Sequence, residues 1–93
     1  MTVWAIFRHE VTTRGDDVTR AEKLVRICAD KASMDLEIRD IYGAALEFYL
    51  EEVERGGIGI DMRTVDEDYF IAIVHGPCWE TDIFFYALEY EVV

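Results

Sequence analysis

Residues 36–55, with the sequence LEIRDIYGAALEFYLEEVER, constrain the fold more than any other part of the chain. On a helix of about 3.6 residues per turn, their apolar side chains share one broad face and their acidic side chains lie opposite. Asp35 precedes the first turn, where a carboxylate can cap free amide groups, and Gly56-Gly57 follows the last turn. We therefore predict an amphipathic helix over residues 36–55. Its core face would consist of Ile38, Ile41, Tyr42, Ala45, Leu46, Phe48, Tyr49 and Val53.

Length and composition favour one soluble domain spanning residues 1–93, since 52% hydrophobic residues are enough to form a core. No apolar run reaches the ~20 residues of a membrane span, and the N-terminus lacks the basic-then-apolar layout of a signal peptide. Cys28 and Cys78 are too few for a disulfide framework. A cytoplasmic protein with reduced thiols is the expectation.

The net charge of −11 is distributed unevenly along the chain. Residues 1–31 carry six basic and five acidic residues, whereas residues 32–93 carry three basic and fifteen acidic residues. Direct binding of DNA or RNA is not expected, because phosphate contacts need clustered Lys and Arg. The charge favours a basic partner surface, while acidity that serves only solubility is the alternative.

The segments before the acidic helix are predicted to form a strand, a turn and a further helix. Residues 2–11 are rich in β-branched and aromatic residues, which is typical of a strand, and Gly15 marks a turn. Residues 17–31 carry an apolar stripe at helical spacing, and Thr19 and Glu22 have the spacing of a capping box. We therefore predict a first helix over residues 17–31.

Three strands are predicted after the acidic helix. Residues 58–65 alternate between apolar and polar side chains, residues 69–74 are apolar throughout, and residues 82–93 are dense in aromatic residues. The charged residues 66–68 would connect the first two as a hairpin. The predicted fold is therefore α+β, with two helices packed on one face of a four-stranded, mainly antiparallel sheet in the order β-α-α-β-β-β.

The His and Cys residues of the chain do not form a complete zinc-binding or catalytic motif. His75 and Cys78 have an H-x-x-C spacing, but no second Cys/His pair completes a tetrahedral zinc site. Cys78 with His75 or His9 could form a nucleophile pair, although acidic surroundings should raise a thiol pKa. We expect no metal, no cofactor and no enzymatic activity. A small enzyme that uses Cys78 or the helix carboxylates is the third-ranked alternative.

The carboxylates on the outer face of the predicted acidic helix are the leading candidate for a functional site. Acids one turn apart lie side by side there, although a solvated helix face without function is the simpler interpretation. The hairpin at residues 66–68 would form a second acidic patch. The predicted partner-binding residues are Glu37, Asp40, Glu47, Glu51, Glu54, Asp66, Glu67 and Asp68.

Residues 2–79 resemble the first two thirds of the GHKL ATPase domain in the compact form of anti-sigma-factor kinases. Glu47 corresponds to the acid of that family's second helix, residues 56–57 to the turn after it, and residues 75–77 to its nucleotide loop. Such a resemblance implies a strand and a helix before the acidic helix, and two strands after it.

This chain also departs from the GHKL pattern. Glu51 stands at the position of the metal-binding Asn, Val74 at that of the loop Asp, and Cys78 at that of the second loop Gly. The lid and the later phosphate-binding segment have no counterpart. What the resemblance implies is therefore a degenerate relative that binds no nucleotide and keeps only partner binding.

In size and charge the chain is similar to phage-encoded DNA mimics, including antirestriction and anti-CRISPR proteins. The expected function is a non-enzymatic inhibitor or regulator that binds the basic surface of a nucleic-acid-handling protein, with an association that weakens as salt rises. An anti-sigma-like module is the second-ranked alternative. A homodimer is a further one, since an apolar final strand at a sheet edge would pair with a second copy. Periodicity leaves four aromatic residues open between core and interface: Tyr42, Tyr49, Trp79 and Tyr90.

Overall fold

One antiparallel sheet with a single helix packed on one of its faces forms the fold. The computed structural model describes residues 1–56, 59–66 and 69–92, and for residues 60–66 it describes the backbone alone. In chain order the elements are β1 (Thr2–Arg14), β2 (Asp17–Cys28), α1 (Lys31–Arg55), β3 (Gly59–Asp66), β4 (Tyr69–His75) and β5 (Glu80–Glu91). The strand order across the sheet is β2-β1-β5-β4-β3, and every described pairing is antiparallel.

The predicted order β-α-α-β-β-β is wrong. The described chain has one helix and five strands in the order β-β-α-β-β-β, although it keeps the predicted α+β character. The difference arises at residues 17–28, which form β2 instead of a helix and pair with β1 along almost its whole length. Consequently β1 also continues to Arg14, three residues beyond its predicted end at residue 11.

The tight turn between β1 and β2 explains why residues 17–28 form a strand. Only Gly15 and Asp16 separate the paired residues Arg14 and Asp17, and Gly15 has a φ of 59°. A two-residue turn with a left-handed glycine favours a hairpin. Pairing with β2 also satisfies backbone groups that β1 would otherwise expose at a sheet edge. The hairpin therefore overrides the helical spacing of the apolar residues.

Helix α1 begins at Lys31, earlier than predicted, and ends where predicted. Asp30, rather than Asp35, is the N-cap, and its Oδ1 accepts a 2.7 Å hydrogen bond from the Ser33 N–H. This bond lowers the pKa of the Asp30 carboxyl. Gly56 follows the last residue of the helix with a φ of 85°, which confirms its predicted role as C-cap.

The core lies between α1 and the sheet face that the helix covers. Ile38 of α1 and Phe85 of β5 are both fully buried there. The Tyr42 ring lies 4.7 Å from that of Phe70, centroid to centroid, and the Tyr42 hydroxyl donates a 3.3 Å hydrogen bond to the Ile71 carbonyl oxygen. Tyr42 is therefore a core residue, and its burial raises the pKa of its hydroxyl.

The other three aromatic residues divide between the core margin and the surface. Tyr49 and Trp79 are partly buried and pack against the core. The Arg8 guanidinium donates a 3.3 Å hydrogen bond to the Tyr49 hydroxyl, which ties the helix to β1. Tyr90 is exposed on β5.

Strand β5 occupies the centre of the sheet, between β1 and β4. The prediction of a strand near the C-terminus is confirmed, but this strand is not at a sheet edge, which the homodimer alternative required. The edges are β2 and β3. Because both sides of β5 are already hydrogen-bonded to neighbouring strands, a dimer cannot form by edge pairing of this strand.

Two aliphatic residues of α1 test how the helix is oriented. We expect Ile38→Ala to lower the free energy of unfolding by about 2–5 kcal/mol, because Ile38 is fully buried and its truncation leaves a cavity. Leu36→Ala is the matched control: Leu36 is 70% exposed, so its change should stay within about 0.5 kcal/mol. Urea unfolding followed by circular dichroism measures both. Equal losses would contradict this orientation of the helix.

Candidate functional site

The predicted carboxylate face lies on the outer surface of α1, opposite the core. The carboxylates that are exposed there belong to Asp40, Glu47, Glu51 and Glu54. Within the part of the chain that the structure describes, none of these four forms an ion pair. The other side of the same helix is held in the core, so the four carboxylates are presented on a rigid element. These four residues are hereafter the acidic face.

Glu37 has a different environment from the acidic face. Its side chain is half-buried, and its Oε2 lies 3.0 Å from Nη1 of Arg26 on β2. The pair connects the start of the helix to the edge of the sheet. Among the predicted partner-binding residues whose side chains the structure describes, Glu37 is the one that forms an ion pair within the chain.

The predicted second acidic patch cannot be placed. Glu67 and Asp68 lie outside the described residues, as does Gly57 of the predicted helix-ending turn. Asp66 is the last residue of β3, and only its backbone is described. The patch at residues 66–68 therefore stays a prediction from the sequence.

The acidic face is less densely charged than nucleic acid. Asp40 and Glu54 are fourteen residues apart in the sequence, which is about 21 Å along a helix axis. One strand of B-DNA carries about six phosphates over that length. Four carboxylates therefore supply about two thirds of the charge of one strand, which suits a salt-sensitive association.

The two cysteines occupy opposite environments. Cys28 is buried at the end of β2, whereas Cys78 is exposed in the loop between β4 and β5. Burial, together with the nearby carboxylate of Glu37, raises the pKa of the Cys28 thiol. Among the described residues, no group of three His, Cys, Asp or Glu side chains is arranged to hold a metal ion.

The loop of residues 76–79 is built by packing around Trp79. The Gly76 N–H donates a 3.0 Å hydrogen bond to the Trp79 carbonyl oxygen, and a Cβ at residue 76 would clash with the Trp79 indole. Similarly, the His75 imidazole lies against Gly59 of β3, where a Cβ would clash with the ring. His75 and Gly76 are therefore explained by packing and turn geometry.

A second surface with functional potential is the sheet face that α1 does not cover, here called the open face. Its side chains alternate along the strands with those of the core. In the cross-strand register, one row contains Leu24, Phe7, Tyr86 and Tyr69. The Phe7 and Tyr86 rings stack at 5.5 Å between centroids, and the Tyr86 and Tyr69 rings at 6.1 Å. No described helix covers these rings.

Polar groups border this aromatic row. The Tyr86 hydroxyl donates a 2.7 Å hydrogen bond to Glu22 Oε1, and Nδ1 of His9 lies 3.7 Å from Glu22 Oε2. Burial, and then the hydrogen bond to Glu22, raises the pKa of Tyr86 to about 12. With Arg20 and Phe84, these side chains surround an open depression of about 430 Å³.

The sequence contained a signal for the open face. Phe84, Tyr86, Leu88 and Tyr90 share one side of β5, so alternation alone places four large side chains together. The prediction of a helix at residues 17–28 removed Leu24 and Ile27 from this face, because those residues form β2 beside β1.

Comparison of the chain with family models, with curated proteins and with solved structures finds no match. The likeness to GHKL domains therefore stays a resemblance in pattern. The helix that it implies before the acidic helix is absent from the described chain, where β2 takes that place. No described helix is both long and apolar enough to cross a membrane.

Thiol labelling tests the environments of the two cysteines. At neutral pH we expect maleimide to modify Cys78 at least about tenfold faster than Cys28, because burial limits access of the reagent to Cys28 and its raised pKa lowers the thiolate fraction. Peptide mass spectrometry over time measures the two rates. Cys78→Ser is the control and should leave only the slow reaction. Equal rates in the folded protein would contradict the placement of Cys28.

Proposed function

We propose that this protein is a non-enzymatic inhibitor or regulator whose acidic face binds a basic surface on a nucleic-acid-handling protein. The observation that carries the proposal is the acidic face itself: four exposed carboxylates without an ion pair among the described residues, on a helix whose opposite side is held in the core. A rigid support of this kind reduces the ordering that binding requires.

The alternative that acidity serves only solubility fits the outer helix surface less well. Phe48, which was predicted to face the core, is instead 61% exposed beside Glu47, and Leu50 is 43% exposed beside Glu51. A surface shaped for solubility alone would avoid large exposed apolar side chains. Aromatic and aliphatic anchors among charged residues are instead common at protein interfaces.

The charge of the acidic face indicates the kind of partner. A basic groove that normally holds phosphates attracts a row of carboxylates through the same long-range field, which speeds association and weakens with salt. Because the face carries about two thirds of the charge of one DNA strand, the apolar neighbours Phe48 and Leu50 are expected to add affinity at short range. Binding of this kind would compete with nucleic acid on the partner.

Charge reversal tests the proposal with a control of equal net charge. Tagged wild-type protein and the Glu47→Lys, Glu51→Lys variant are used as baits in host lysate at low salt. We expect the variant to lose the basic proteins that the wild type captures, because attraction becomes repulsion. Glu89→Lys, Glu91→Lys is the matched control on β5, since each double variant changes the net charge from −11 to −7.

Two further measurements distinguish a phosphate mimic from the anti-sigma-like alternative. Rising salt and added duplex DNA should both release a partner held by phosphate mimicry. Unchanged capture by the folded Glu47→Lys, Glu51→Lys variant would contradict the assignment of the acidic face. Salt-resistant capture of a sigma factor would instead favour the anti-sigma-like alternative.

A further inference from the structure

We propose that the open face is the contact surface of a homodimer, in which two copies pack sheet against sheet. The inference goes beyond the proposed function, because it concerns the opposite side of the molecule from the acidic face.

The apolar character of the open face is unusual for a sheet that is covered on one side only. Antiparallel sheets of this kind commonly alternate between an apolar core face and a polar solvent face. Here Leu24 is 48% exposed, Ile27 59% and Leu88 45%, and they adjoin the stacked rings of Phe7 and Tyr86. Large contiguous apolar patches on a soluble protein mark association sites.

The size of the open face fits a stable dimer. Strands β2, β1 and β5 lie side by side, and β1 and β5 pair over twelve residues. Three strands of that length cover about 14 Å by about 40 Å, roughly 560 Å² in projection. Side chains corrugate this area, so the accessible surface buried on each copy approaches the ~800 Å² of a standard interface.

The acidic faces of two chains would lie far enough apart for the open faces to associate. Two sheets pack about 10 Å apart, and each helix lies a similar distance beyond its own sheet. The two acidic faces would then be on the order of 30 Å apart, well beyond the Debye length of about 8 Å at physiological salt. They would also point outward, so that the dimer leaves both free for other partners.

The positions of Arg20 and Asp82 support a second copy of this chain as the partner bound at the open face. Both lie at the open face, in one cross-strand row with Val11 between them. Within the described residues, neither Arg20 nor Asp82 forms an ion pair. A twofold axis parallel to the strands and passing over β1 places β2 of one copy over β5 of the other. Arg20 of each copy then faces Asp82 of its partner.

The first test measures the mass of the full chain in solution by light scattering and sedimentation, over concentrations on the order of 1–100 µM. We expect a species of twice the 10.8 kDa chain mass. Leu88→Lys should raise the dissociation constant at least about tenfold, because twofold symmetry buries the new charge twice. The matched control Leu36→Lys, on the outer side of α1, should leave the dimer intact. Circular dichroism confirms that each variant is folded.

The second test is a charge swap between Arg20 and Asp82. Arg20→Asp alone and Asp82→Arg alone should each weaken the dimer, and the double variant should recover most of the loss, because the pair is restored with its charges exchanged. A wild-type chain that is monomeric at the highest concentration would overturn the proposal. So would equal dissociation by Leu36→Lys and Leu88→Lys. A monomer that captures a different protein, and loses it with Leu88→Lys, would assign the open face to that protein and overturn the homodimer.

Discussion

The packing of one helix against one face of a five-stranded sheet is the interaction on which the rest of the structure depends. Ile38 and Tyr42 of α1 lie in one core cluster with Phe85 and Phe70, and the Tyr42 ring contacts both phenylalanine rings. The same cluster contains side chains of β1, β2, β4 and β5. A single helix can cover only one side of such a sheet. The described chain therefore has two exposed surfaces by construction: the outer side of the helix and the open face of the sheet.

These two surfaces differ in chemistry as well as in position. The outer side of the helix is acidic, and the four carboxylates of the acidic face form no ion pair within the described residues. Glu37, Asp35 and Glu52, the other acids of α1, each pair with a cation. The open face is mainly aromatic and aliphatic, and two rows toward one end of its strands carry polar groups, one with His9 and Glu22 and the other with Arg20 and Asp82. Because the sheet separates the two surfaces, a partner bound to one need not displace a partner bound to the other. A bivalent regulator, with two outward acidic faces on one dimer, would follow if both proposals hold.

Much of the secondary structure could be predicted from local pattern. The body of α1 and its end at Arg55 followed from amphipathic spacing and the glycine after it, and the later strands followed from aromatic density and alternation. Residues 17–28 could not be predicted, since their apolar positions fit a helix as well as a strand, and the deciding contact is the pairing with β1. The N-cap was missed for a related reason: Asp30 and Asp35 are both acidic, and only the end of β2 shows where the helix begins.

By itself, the sequence determined which side chains share a helix face, because residue spacing alone sets the angle between them. It thereby determined the acidic face, with Asp40, Glu47, Glu51 and Glu54 together on one side. Only the tertiary structure decided that Glu37 is engaged by Arg26, that β5 lies at the centre of the sheet, and that an aromatic face stays uncovered. The physical reason is that strand pairing and coverage are long-range contacts. Local spacing fixes what a segment can present, whereas the choice of neighbour depends on the whole chain.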